Sequence, residues 1–194
     1  METTRRRTQP REVRREQLLD AAERVLTGKG LAAMTVAEVA EAAGLGKGTV
    51  YLYFDSKERL VAALQARYND ALVEAASRSL RRSGSHLDRL DAFLAQAVDF
   101  HRERTSLHHV LFHEAGMGEA DSMRRLEDLL AEFIAEGAAT GAFATPDATF
   151  SARFLLHGLH GVLVPFLHAP EPNRARFLAA AGAACRSILG APSR

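Results

Sequence analysis

The sequence predicts an all-α protein: a small three-helix head followed by a longer helical bundle. Three observations carry that reading. Apolar residues recur at i, i+3 and i+4 in every long segment. The segments are separated by short stops bearing Gly, Ser or Pro. No stretch alternates apolar and polar residues as a half-buried strand does, and no internal repeat is present.

The elements follow in order. Residues 1–10 form a basic arm, and residues 1–15 hold six arginines (Arg5, Arg6, Arg7, Arg11, Arg14, Arg15) against Glu2 and Glu12. Such an arm is solvated when free and gains affinity for a polyanion by releasing counterions. The first helix is expected over Arg11–Thr27, with Leu18, Ala21, Ala22, Val25 and Leu26 as its stripe and Gly28-Lys29-Gly30 as its stop. A second runs from Thr35 to Ala43. Thr35 and Glu38 have capping-box spacing, and Val36, Val39 and Ala40 make one apolar face. Gly44 stands where a helix-ending left-handed residue is wanted. The third helix begins near Gly46. Val50 and Phe54 point inward in it, and Lys47 and Tyr51 point outward.

Two short helices joined by a Gly-bearing turn make a helix-turn-helix, whose second helix enters the DNA major groove in proteins that use it so. Lys47, Thr49, Tyr51, Tyr53 and Lys57 can donate to phosphates, and Lys47 and Thr49 can also reach base edges. The same pattern fits an ordinary helical hairpin with a polar surface. The register AxxAG-x-x-x-G-T-V-Y-x-Y-F-x-S-K-E separates the two, because it resembles the DNA-binding signature of the TetR family of bacterial transcriptional regulators, over roughly Glu12 to Asn69. The resemblance implies that Thr35 caps the scaffold helix near a phosphate and that Lys47, Gly48 and Thr49 open the groove-facing helix. It also implies that Tyr51 and Tyr53 meet the DNA backbone and that Lys57 clamps a phosphate. Gly46 stands where members often carry a capping Ser, and Ala37 where they often carry a long polar residue, so that cap and a base contact from the scaffold helix are expected to be missing.

A connecting helix is expected over 56–80, with the head at 11–55 and the bundle at 81–194. Ser85 can cap the next helix, whose face runs Leu87, Leu90, Leu94, Ala97, Val98, His101. A break is expected near Arg104-Thr105-Ser106, then a short helix to Ala115 and a loop at Gly116-Met117-Gly118. Another helix covers Asp121–Ala139. Thr145-Pro146 starts the next at the position proline prefers, and Phe150, Phe154, Leu155, Leu159, Val162 and Phe166 are read as its inward face. Pro165 should kink or shorten its end. The last helix is Arg174–Leu189.

Several functional readings arise in the bundle. Gly158 and Gly161 in one helix, and Ala179 to Ala184 in the other, permit close helix approach, either inside one subunit or between two. The family resemblance implies the second, a homodimer through the last two helices, with Leu155, Gly158, Gly161, Val162, Ala181, Cys185 and Ile188 as its interface. The resemblance also implies a small-molecule effector site among the helices after the connector. An apolar cavity bearing a few polar groups suits that role, and His101, Phe112, Phe133, Phe150, Phe154 and His157 are its candidate lining.

Other classes find little support. His109 and His113 share a helix face beside Glu114, a spacing that could hold a transition metal, yet no third ligand is identifiable. No metal site, cofactor or catalytic residue is therefore assigned. A metal-dependent or small-molecule-processing protein with a vestigial head is the alternative. The single cysteine excludes an internal disulfide framework. No uninterrupted apolar run reaches the roughly 18–20 residues of a membrane span, and the first residues lack the apolar core of a secretion signal, so a cytoplasmic protein is expected. The partners expected are a double-stranded DNA operator, an apolar or amphipathic effector and a second copy of the chain.

Overall fold

The computed structural model describes residues 10–114 and 120–191, with the side chains of residues 113 and 120–122 also outside the description. The basic arm up to residue 9, the Gly116–Gly118 loop and the His113 imidazole therefore lie outside the described residues. Among those described, every regular element is helical: α1 Arg11–Ala33, α2 Val36–Ala42, α3 Lys47–Tyr51, α4 Lys57–Leu80, α5 His86–Glu103, α6 Thr105–His109, a π-helical turn Val110–Glu114, α7 Ala120–Ala139, α8 Ala148–Leu167 and α9 Arg174–Ile188.

The chain forms two compact units: residues 10–68 with 106–114, and residues 69–105 with 120–191. Helix α4 contributes its first half to one and its second half to the other.

In the first unit, Leu18, Leu19, Ala21, Ala22 and Leu26 of α1 are buried, as are Val39 and Ala40 of α2, Val50 of α3 and Leu60, Val61 and Leu64 of α4. Gly30 breaks α1 with φ +78°, a conformation that glycine adopts without strain, so the expected stop is real although a further turn follows it to Ala33. The peptide after this break is held at both ends. The Glu114 carboxylate accepts the Leu31 N–H at 2.9 Å, and Lys57 Nζ donates to the Leu31 carbonyl at 2.6 Å. Arg67 on α4 reaches Asp20 at 2.7 Å and also meets Glu16 and Glu23, so one guanidinium ties three carboxylates of α1 to α4.

Helix α6 and the π-turn pack into this first unit, an association with no counterpart in the sequence pattern. Leu107, His108, Val110 and Leu111 are buried there, and Gln65 Nε2 donates to the Leu111 carbonyl at 2.9 Å. The Tyr68 hydroxyl and His108 Nδ1 share a hydrogen bond of 3.2 Å. Phe112 packs edge-on against Tyr68, with ring centroids 5.4 Å apart.

The second unit has one core, built from Leu80, Leu90, Phe93, Leu94, Leu130, Phe133, Ile134, Leu155, Leu156 and Cys185 with their neighbours. Ser85 and Asp88 cap α5 reciprocally, as the spacing predicts. Helix α8 departs from expectation at its start and on its faces. Asp147, not Pro146, begins it by accepting the Phe150 N–H at 2.9 Å, which leaves proline before the cap. The helix continues through Pro165 to Leu167. Proline at this position removes one hydrogen bond, to the Gly161 carbonyl, within the last turns of the helix. Its buried residues are Ser151, Ala152, Leu155, Leu156 and Leu163, whereas Phe150, Phe154 and Val162 are exposed rather than inward. The helix is apolar on two sides, and periodicity alone could not choose between them. That double apolarity also makes Ala148–Leu167 long and apolar enough, by length and composition, to cross a membrane, despite Arg153 within it.

His101 is buried in this unit. Its Nδ1–H donates to the Ala97 carbonyl at 2.9 Å, and its ring lies 6.4 Å from that of His160. Burial pushes its pKa below the ordinary value of 6.5, with the nearby His160 acting in the same direction. The folded chain thus takes this proton less readily than the unfolded chain. Its contribution to stability is full above pH 6.5 and falls as the pH drops below that value toward the depressed one. Urea denaturation at pH 7.5 and 5.5 should show a lower midpoint at the acid value, and His101→Leu should shrink the difference.

Candidate nucleic-acid interface

The head presents its helix-turn-helix on a set of capped ends. Thr35, in extended conformation, accepts the Glu38 N–H through its hydroxyl at 3.3 Å, and Glu38 accepts the Thr35 N–H at 3.0 Å. Hydrogen bonds from Lys29 and Thr35 hold the Glu38 carboxyl below the usual range. At the other end of α2, Gly44 takes φ +65° and Leu45 N–H returns to the Ala40 carbonyl at 2.9 Å, closing the turn. Two α1 side chains satisfy carbonyls that the helix end leaves open: Gln17 Nε2 donates to Ala43 at 2.8 Å and Arg24 to Ala42 at 3.2 Å. Gly46 caps α3 with no side-chain hydrogen bond, as its lack of a hydroxyl requires.

Helix α3 is fixed from beneath by Val50 and Phe54, 0% and 5% exposed. Lys47, Gly48 and Tyr51 are exposed, while Thr49, Tyr53 and Lys57 are half-buried. Lys47 Nζ lies 5.9 Å from the centre of the Tyr51 ring, and the Arg11 guanidinium 5.9 Å from that of Tyr53. Cations over aromatic faces are held in place while keeping donors for an anion. The structure therefore brings Lys47, Gly48, Thr49, Tyr51 and Tyr53 onto one short segment with Arg11 beside it. Thr35 stands at the start of α2. Lys57 has a further role that its sequence context concealed, because its ammonium also holds the Leu31 carbonyl.

Sequence reasoning missed Leu52, which is 76% exposed at the end of α3. Only its angular position relative to Val50 carried the signal.

A Cβ at Gly48 would meet no atom within 4 Å, and the residue sits in regular helix. Gly48→Ala should therefore stabilise the fold by about 0.5–1 kcal/mol. It should nonetheless weaken DNA binding, because the new methyl occupies the outer face. Thermal unfolding and a gel-shift titration check both signs, and unchanged affinity would remove Gly48 from the interface.

The candidate effector residues are divided among buried, half-buried and exposed positions. His101 and Phe133 lie in the core of the second unit, where the Arg89 guanidinium stands 4.9 Å from the Phe133 ring centre. Phe150 and Phe154 stack on each other at 6.1 Å in the open, and exposed His157 bonds Glu127 at 3.1 Å. Phe112 belongs to the first unit. A cavity of about 320 Å³ beside Leu80, Arg89, Leu129 and Phe133 holds one of the six. Among the described residues no group of three metal-ligating side chains occurs, and His109 Nε2 lies 4.0 Å from Glu114.

The candidate dimer residues divide in two. Gly158, Gly161, Val162 and Ile188 lie exposed on α8 and α9, whereas Leu155, Ala181 and Cys185 are turned into the subunit core. Burial pushes the Cys185 thiol up to about 11, which makes it a packing group. Phe150 and Phe154 join the exposed set, as do Ala179, Ala180, Ala183 and Ala184. Exposed apolar or small residues thus recur along the outer faces of both helices, with the polar side chains of His157 and Arg176 among them.

Two family models match the chain: bacterial regulatory proteins, tetR family, over residues 18–64, and tetracyclin repressor-like, C-terminal domain, over residues 83–164. The HTH-type transcriptional activator FasR of Mycolicibacterium smegmatis is 37% identical over 91 residues, covering 47% of this chain and 42% of that protein. The chain spans half or less of the length of the curated relatives it matches. Among solved structures, the fatty acid degradation regulator FadR from Bacillus halodurans superposes with a TM-score of 0.76 at 18% identity, over 92% of this chain and 96% of that one. FadR from Bacillus subtilis in complex with stearoyl-CoA gives a TM-score of 0.69 at 16% identity, over 92% and 99%. Identities this low establish a shared fold.

Proposed function

Because the chain belongs to the tetR family of bacterial regulatory proteins, we propose that it is a homodimeric, ligand-responsive regulator of transcription. It binds a near-palindromic operator and is a repressor released by an apolar or amphipathic small molecule. The observation that carries the reading is the exposed edge of α3, where Lys47 and Tyr51 face outward over the buried anchors Val50 and Phe54. Two copies of such an edge read successive major-groove half-sites about 34–36 Å apart. The exposed apolar and small residues of α8 and α9 support the second copy, since such faces are able to meet themselves about a two-fold axis. The stearoyl-CoA found in a similar fold supports the effector class.

The mechanism is a population shift. An effector in the second unit favours a different tilt of α4, the helix common to both units, and the spacing of the two heads no longer suits the groove repeat. The place of action is the cytoplasm, on the chromosome. Retention of genomic DNA fragments by the purified protein tests the reading. A small set of fragments should survive rising salt and be released by long-chain acyl compounds. Retention of all fragments alike, lost in proportion to salt, would refute it.

A further inference from the structure

Leu52 is more exposed than any other large apolar side chain among the described residues, at 76%. Single exposed leucines are common on protein surfaces. Direction sets this one apart. It continues α3 in helical conformation (φ −69°, ψ −18°), with its N–H returning to the Gly48 carbonyl at 3.3 Å. Val50 is fully buried and marks the inward direction. At 3.6 residues per turn, residues two positions away are rotated by about 200°, so Gly48 and Leu52 each lie within about 20° of straight outward. Gly48 has no side chain. Leu52 is therefore the group aimed most directly away from the head, and Lys47 and Tyr51 stand to one side of it.

A cationic, aromatic flank draws α3 toward phosphates, and the projecting leucine then meets whatever lies on the groove floor. Leucine has no donor or acceptor. Against the amino group of cytosine or adenine it would leave a polar edge desolvated and unbonded. The major groove offers one apolar group, the C5-methyl of thymine. Accordingly, and resting on the DNA-binding reading above, we infer that Leu52 is a specificity-determining residue that packs on a thymine methyl in each half-site.

The experiment uses the full-length protein and the fragment retained in the genomic selection. Each dT of a half-site is replaced in turn by dU, which removes only the methyl, and affinities are measured for the wild type and Leu52→Ala. One position per half-site should weaken the wild type about fourfold, and about fifteenfold when both half-sites are changed. In Leu52→Ala that penalty should vanish, with the salt dependence unchanged. A dU penalty of equal size in both proteins, or no sensitive position at all, overturns the inference while DNA binding stands. Failure of the wild type to select any fragment overturns the DNA-binding reading, and this inference with it.

Discussion

Val162→Asp is expected to give a folded protein that sediments as a monomer and binds its operator at least about 100-fold more weakly. Val162 is 54% exposed in the single chain, so a charge there meets water and leaves the fold intact. In an interface where one surface meets itself, each substitution is present twice. Two carboxylates would lose water close to the axis without a cation to pair with, and an unpaired buried charge costs about 3–5 kcal/mol. The neighbouring Leu163, 4% exposed, is the control. Leu163→Asp should unfold the second unit, whereas Val162→Asp should retain the wild-type helical content and melting temperature of a monomer. A Val162→Asp protein that still sediments as a dimer would move the interface off the outer face of α8.

The second large effect belongs to Tyr51. Tyr51 is 44% exposed and its ring lies beside Lys47, with Val50 carrying the anchoring below, so Tyr51→Ala should change stability by no more than about 0.5 kcal/mol. Operator affinity should fall at least about 30-fold, because a dimer loses the ring and its phosphate contact twice and each loss is worth about 1 kcal/mol or more. Lys47→Ala should instead weaken all sequences alike and lower the salt slope by about 1 per head. Lys57→Ala gives a mixed result, since it also frees the Leu31 carbonyl at 2.6 Å and loosens the turn after Gly30. Tyr51 is the cleaner probe. Equal affinities of Tyr51→Ala and wild type would show that α3 does not enter the groove as argued.

The head was legible because its signals are local. The Thr35–Glu38 box, the positive φ at Gly44 and the Val50/Phe54 anchor each depend on residues within five positions of one another. The bundle was legible as helices but not as surfaces. On α8, Phe154 and Leu155 are adjacent apolar residues, one 56% and the other 3% exposed, and hydropathy assigns both to the core. What separates them is which neighbours fill the space, a property of the tertiary fold. The same holds for Leu155, Ala181 and Cys185, whose small or apolar character suited an interface while their angular position turned them into the subunit. The packing of α6 and the π-turn onto the first unit rests on Gln65–Leu111 and Leu31–Glu114, pairs separated by 46 and 83 positions, which no window of sequence connects. Phe112 sits against Tyr68 in the first unit for that reason. Leu52 failed to register because a leucine at the end of a helix reads as core unless its rotation from Val50 is counted.

A hydroxyl-radical footprint of the retained genomic fragment addresses the central claim most directly. Two equal protected patches on one face of the duplex, related by two-fold symmetry and centred about 34 Å apart or slightly more, are the predicted result. A single unpaired patch, or even protection along the whole fragment, would contradict it.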